Sequence, residues 1–300
     1  PAMRTRGYNA SYAASLAASG GILGVIIPPS LIFIIYGIST STSIGELFIA
    51  GIIPGLLIAL TLSISNSLVC RYSTWALVDK KLFSFRKLLS ALWHAKWGLG
   101  APLIILGGIY GGIFTPTEAA AVAVFYVFLV ETVINKELGI RDIISSLTRA
   151  AIVTGILGPI IAFSILFGET LAILRVPGNV VNFFVSMSVG HTESVFMIIF
   201  VLLIMGCILE PIAAILVIMP ILLPIGMELG FDPVHFGVFV VSTLSVGFIT
   251  PPVGINLFAA SAVSGQPFLD IASKALPAFV ALIVTVSAIA FLPDLILWFR

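Results

Sequence analysis

The sequence predicts an all-α polytopic membrane protein whose spans are interrupted at membrane depth, and three observations carry that expectation. First, 60% of the 300 residues are hydrophobic and 9% are charged, with a mean hydropathy of +1.22. Apolar runs of roughly 20 residues, enough to cross a bilayer, recur along the chain. Second, the stretch Gly247 to Ser261, GFITPPVGINLFAAS, is apolar yet carries a Pro-Pro pair, two glycines and an asparagine. Pro251 and Pro252 lack N–H groups and their rings crowd the preceding turn, so a helix must open near Thr250 and free backbone carbonyls. Unpaired groups of that kind are costly in hydrocarbon and survive only where protein, water or a bound ion satisfies them.

The third observation is a duplication. Setting Pro28 and Pro29, in GVIIPPSLIFIIYG, on Pro251 and Pro252 fixes an offset of 251 − 28 = 223. Pro1 then meets Pro224, Gly7 meets Gly230, Ser19 meets Ser242, Gly24 meets Gly247, Ile26 meets Ile249 and Pro54 meets Pro277. Glycines and prolines matched without a gap mark an internal repeat.

Taken in order, Ala10 to Gly37 is the first interrupted span, with small residues before the break that suit close helix packing. Glu46 to Cys70 spans back through Pro54. Between Arg71 and Lys96, six basic residues face one acid, Asp79. Phe85, Leu88, Leu89, Leu92 and Trp93 follow helical spacing there and predict an amphipathic surface helix on the cytoplasmic side. Gly98 to Phe114 is expected to cross outward, and Thr115-Pro116-Thr117-Glu118 reads as a capping box that starts the return helix. Lys136, Arg141 and Arg149 mark a second cytoplasmic arm, Ala150 to Ala172 crosses outward again, and Pro177 to Val189 reads as an interfacial helix.

Ser194 to Gly230 has length for two short helices but breaks at Gly206 to Pro211, with no room for a loop that reaches water. A re-entrant hairpin with its tip in the membrane fits that pattern. Loop charges then orient the copies. Arg4 and Arg6 flank Gly7, whereas Glu228 and Asp232 flank Gly230, so the two copies run in opposite directions as an inverted repeat. The first copy lacks its own hairpin, and the start PAMRTRGYN looks cut, so an N-terminal part of the functional protein is expected outside this sequence.

Composition and motifs exclude several classes. A net charge of +1 gives no hint of nucleic-acid binding, and two cysteines do not make a disulfide framework. There is no HExxH, no GxSxG and no close pair of intramembrane aspartates, so an enzyme is not expected. Two broken helices related by an in-plane two-fold point instead to a secondary transporter. Freed carbonyls suit a small hard cation, and helix N-termini after each Pro-Pro suit an anion. Ser30 and Asn256 either add side-chain oxygens there or cap the resumed half-helices. Glu210 either caps the next helix, sits in a water-filled vestibule or takes part in ion coupling. His94, His191 and His235 receive no role. A channel subunit for an ion or solute is the alternative, because non-helical backbone also lines pores.

IIPPSLIFIIYG, SIGELFIAGIIPG, GGIYGGIFTPTEAAAVAV, AAILVIMPILLPIG, GFDPVHFGV and GFITPPVGINLFAAS together resemble the large membrane subunit of tripartite ATP-independent periplasmic (TRAP) transporters over the whole chain. The resemblance implies an elevator-type transport domain, a scaffold with arm helices, and sodium-driven uptake of an organic acid such as a sialic acid or C4-dicarboxylate. It also implies a periplasmic substrate-binding protein, a small membrane subunit that is separate or fused, and a multi-pass place in the bacterial inner membrane. On that basis the sodium candidates are Ile26, Ile27, Pro28, Gly206, Gly247, Thr250 and Pro251, and the substrate candidates are Ser30, Pro29, Gly254, Asn256 and Glu210. The expected division is 1–45 for the first interrupted helix, 46–190 for scaffold and arms, 191–267 for the second hairpin and interrupted helix, and 268–300 for a C-terminal scaffold span.

Overall fold

The computed structural model describes residues 3–73, 84–176, 178–179 and 190–300, and these are helical with no strand among them. The basic cluster Lys80 and Lys81 and the interfacial helix expected over 177–189 fall largely or wholly outside the described residues. Among the described residues, six helices are long and apolar enough to cross a membrane. The chain forms two compact units, one of residues 1–78 with 164–300 and one of residues 79–163.

In the first unit, α1 (Ala10–Gly20), α2 (Leu23–Ile26) and α3 (Leu31–Thr40) form one interrupted span, bent by 44° at the Pro28-Pro29 break. α4 (Ile44–Tyr72) follows and runs through Pro54. The second unit holds α5 (Phe85–Tyr110), α6 (Pro116–Leu129) with a π-helical turn over Val130–Ile134, and the start of α7 (Ile140–Ile173). In the first unit again come α8 (His191–Ile208) and α9 (Pro211–Glu228), joined by Leu209 and Glu210 alone. α10 (Pro233–Gly247) and α11 (Ile255–Ser264), two shorter apolar helices on either side of Pro251-Pro252, occupy the stretch read as the second interrupted span, and α12 (Phe268–Phe291) and α13 (Pro293–Ile296) follow. α4 and α12, given to the scaffold in the sequence division, pack in the same unit as both interrupted spans, and Thr61 and Thr285 share a hydroxyl bond of 2.8 Å between them.

The offset of 223 recurs in the hydrogen bonding. Gly7 and Gly230 both take φ +83°, a left-handed conformation that favours glycine, and each N–H donates three residues back, to Arg4 and Met227, at 3.0 Å. Asn9 caps α1 by accepting from the Tyr12 N–H, and Asp232 caps α10 by accepting from Val234 and from His235, the counterpart of Tyr12. Tyr12 Oη donates to Asn66 Oδ1 at 2.8 Å, and His235 Nε2 bonds the Ile289 carbonyl at 2.7 Å, again between equivalent positions. Both Pro-Pro peptide bonds are cis.

Two features of the second unit bear on the sequence expectations. The capping box forms as read: the Thr115 N–H donates to Glu118 Oε2 at 2.8 Å, and the Glu118 N–H donates to Thr115 Oγ1. The second arm and the span after it are instead one continuous helix, α7, of 34 residues. At 1.5 Å per residue that is about 51 Å, well beyond the ~30 Å hydrocarbon core, so its first turns extend past a membrane edge. α5 carries the expected amphipathic surface, with Phe85 and Trp93 each more than two-thirds exposed and Lys96 Nζ 4.1 Å from the centre of the Trp93 ring. Its second half runs through the 98–110 segment, but α5 is not among the six long apolar helices.

Candidate functional site

The two breaks follow from what proline removes. In a continuous helix, the Pro29 and Pro252 N–H groups would bond the carbonyls of Val25 and Phe248, four residues back. Neither proline has an N–H. The Val25 carbonyl instead accepts from Ser30 Oγ, and the Phe248 carbonyl, its equivalent, accepts from the Asn256 N–H at 3.0 Å. Each resumed half-helix therefore reaches back to satisfy one carbonyl that its Pro-Pro pair orphans.

Other carbonyls of the first break stay open. Among the described residues, no donor reaches the carbonyls of Gly24, Ile26, Ile27 or Pro28. Ile26 and Pro28 are buried; Ile27 is partly exposed, with its side chain against Gly55 of α4. Ser30 is the N-cap of α3, buried, with Oγ accepting from the Phe33 N–H, so its hydroxyl is committed to the cap. Pro29 is half-buried beside it.

The α8–α9 connection sits directly on the second break. A β-carbon on Gly206 would lie 2.3 Å from the Leu244 carbonyl oxygen, and one on Gly247 would lie 2.6 Å from the Gly206 carbonyl carbon. Only glycines at both places let the two backbones approach so closely. Gly254, at φ +55°, begins α11 and donates its N–H to the Cys207 carbonyl at 3.3 Å. The Cys207 thiol in turn donates to the Thr250 carbonyl at 3.0 Å. The Gly247 carbonyl accepts from the Thr250 N–H, and Thr250 Oγ1 donates to the Val246 carbonyl. The carbonyls of Gly206, Ile249 and Pro251 receive no donor among the described residues.

Glu210 stands at the connection as the N-cap of α9. Its Oε2 accepts from the N–H groups of Ile212 and Ala213 at 3.0 and 3.1 Å. It is exposed, and its hydrogen bonds are those of a helix cap. Asn256 behaves otherwise: its side-chain amide donates to the Ala18 carbonyl of the first interrupted span at 3.1 Å.

The structure thus brings Gly206, Gly247, Thr250, Gly254 and Asn256 into one connected set, with Ile26 to Ser30 as a separate break. The Gly206 to Pro211 break read from the sequence includes Cys207, whose carbonyl and thiol both tie the α8–α9 connection to the second break, although the sequence assigned it no role of its own. Sequence reasoning missed Ala18, which meets Asn256 from 238 residues away, and nothing in the sequence signals that contact. Among the described residues, no cluster of three or more His, Cys, Asp or Glu could hold a metal ion, and the open main-chain carbonyls at the two breaks are hard oxygen ligands of the kind a small hard cation prefers.

Comparison with known proteins agrees with this architecture. The family model described as "Tripartite ATP-independent periplasmic transporter, DctM component" matches residues 1–295. The chain is 38% identical to the isethionate TRAP transporter permease protein DctMQ of Oleidesulfovibrio alaskensis over 301 residues, covering 100% of this chain and 47% of that protein. It is 38% identical to the C4-dicarboxylate TRAP transporter large permease protein of Pseudomonas aeruginosa over 287 residues, 96% of this chain and 67% of that one. It is 34% identical to the sialic acid TRAP transporter large permease protein of Vibrio cholerae over 292 residues, 97% and 68%. The chain therefore spans about half to two-thirds of the length of these relatives. With six long apolar helices among the described residues and a family match over nearly its whole length, the chain belongs to the DctM-component family of TRAP transporters, a family of transport proteins rather than enzymes.

Proposed function

We propose that this chain carries the core of a sodium-coupled secondary transporter that takes up an organic acid anion by an elevator-type motion. The observation that carries the reading is the contact of Gly206 with Gly247, which holds the α8–α9 connection on the second break and beside its open carbonyls. In this reading α8 and α9 form a re-entrant hairpin, and sodium is a co-substrate held by main-chain oxygens. The open carbonyls of Ile26, Ile27 and Pro28 in one copy, and of Gly206 and Pro251 in the other, are the candidate ligands. The inverted repeat supplies two such breaks, an arrangement common in transporters that alternate access about a midplane site. The N-termini of α3 and α11 offer partial positive charge to the substrate carboxylate.

The substrate class is an organic acid, with a sialic acid or a C4-dicarboxylate as the leading candidates from the relatives' names. A periplasmic binding protein delivers it, and a small membrane subunit completes the transporter. The isethionate relative is about twice the length of this chain, which leaves room for a fused small subunit in such proteins. The site is the bacterial inner membrane. The test is uptake of labelled succinate and labelled sialic acid by the complete transporter in proteoliposomes, with and without binding protein and an inward sodium gradient. Uptake of either that requires both supports the proposal; uptake indifferent to sodium overturns the coupling.

A further inference from the structure

Asn256 is bonded to both interrupted spans at once. Its backbone N–H stands in for the N–H that Pro252 lacks, at the Phe248 carbonyl of the second break. Its side-chain amide serves the first span. There the helical ladder tightens at the end of α1: the Gly21 N–H donates to Ala17 at 3.1 Å and the Ile22 N–H donates to Ser19 at 3.3 Å. The Ala18 carbonyl, which Ile22 would serve in a continuous α-helix, is thereby orphaned, and Asn256 Nδ2 donates to it at 3.1 Å. Gly21 makes room for this: a β-carbon there would lie 3.0 Å from Asn256 Nδ2 and 3.2 Å from the Ala18 carbonyl oxygen.

A second cross-link runs the other way between the copies. Tyr36 of α3 donates its hydroxyl to the Pro233 carbonyl at the start of α10 at 2.8 Å, and its ring lies on Gly237. That bond ties the middle of α3 to the first residue of α10, whereas Asn256 joins the backbone of one break to the turn that precedes the other. A change in the backbone at the second break thus has a route to the helix end that leads into the first, through one residue.

We infer that Asn256 is a positioning residue that couples the two breaks, so that a cation held at one favours the geometry that holds a cation at the other. The inference rests on the sodium reading proposed above. It assigns Asn256 a role different from direct contact with the substrate, and it identifies Gly21 as the residue that admits the amide.

The test uses the complete reconstituted transporter, with uptake at saturating substrate measured against sodium concentration and, separately, against substrate at saturating sodium. Asn256→Asp keeps the shape and the backbone donor but loses the amide donor. Loss of one net hydrogen bond predicts a half-saturating sodium concentration raised roughly three- to tenfold, with the Hill coefficient falling toward one and the substrate KM unchanged. Gly21→Ala presses on the same amide from the opposite side and shifts the sodium curve in the same direction. The double variant is no worse than Asn256→Asp alone, because both remove one interaction. A protein that merely misfolds loses maximal rate and keeps its sodium curve, and that result in both single variants overturns the inference. A raised substrate KM with an unmoved sodium curve also overturns it and makes Asn256 a substrate ligand. A wild-type transporter indifferent to sodium sinks the transport reading itself, and this role with it; a sodium-dependent wild type with unmoved variants sinks the coupling alone.

Discussion

Gly247 of α10 faces Gly206 of α8 so closely that a β-carbon on Gly247 would lie 2.6 Å from the Gly206 carbonyl carbon and 2.9 Å from the Cys207 nitrogen. The atoms met are backbone, which cannot turn aside as a side chain can. Gly247→Ala and Gly206→Ala each therefore force the α8–α9 connection off the second break. Overpacking of this kind costs about 1–3 kcal/mol, and a lowered melting temperature in detergent is the expected readout. The larger expectation is functional: both variants lose most transport even at temperatures where the protein stays folded. Wild-type rates in either variant would mean that this contact does not matter to the cycle.

Asp232 supports the start of α10 in two ways that substitution can separate. It caps the helix through the N–H groups of Val234 and His235, and it pairs with Arg300, which also bridges to Glu46 at the start of α4. Burial disfavours its charged form, but the Arg300 bond and the two N–H groups outweigh that and hold its carboxyl below the ordinary 3.8. The lowered folded value sets the sign: the stabilisation is present above the unfolded value and is lost as pH falls through the folded one. Asp232→Ala is expected to cost about 1 kcal/mol at neutral pH. Asp232→Asn keeps a cap and costs less, while it flattens the acid limb of stability against pH. Arg300→Gln is expected to cost under about 1 kcal/mol, because the pair is partly open to solvent. Melting temperatures across pH in detergent check all three.

Glu210 is expected to act through the helix that it caps. Glu210→Ser replaces one capping oxygen by another and is expected to preserve both stability and the substrate KM. Glu210→Ala leaves the Ile212 and Ala213 N–H groups without that acceptor and costs about 1 kcal/mol. Parallel measurement of melting and uptake separates the cases, and a Ser variant that folds normally but loses sodium dependence would return Glu210 to the coupling machinery.

Local rules made much of this legible in the sequence. Pro28-Pro29 and Pro251-Pro252 announce their breaks because a missing N–H acts within one helical turn. Thr115 and Glu118 announce their capping box because its partners lie three residues apart. The offset of 223 announces the repeat through glycines and prolines, and it recurs in equivalent hydrogen bonds such as those of Gly7 and Gly230. The rest depends on contacts that no local pattern encodes. Asn256 finds Ala18 across 238 positions, and Gly254 finds Cys207 across 47 (254 − 207), only after the helices pack. The second arm merged into α7 because nothing between Arg149 and Ala150 stops a helix: no glycine or proline interrupts 140–154.

The central claim is that the open carbonyls at the two breaks serve a coupled transporter and not a pore. Its most direct test is the steady-state ratio of internal to external labelled substrate in proteoliposomes that hold the complete transporter under an inward sodium gradient. A coupled transporter gives a ratio above one that falls to one when a sodium ionophore dissipates the gradient. A ratio that never exceeds one, whatever the gradient, would contradict it and leave a passive channel as the reading.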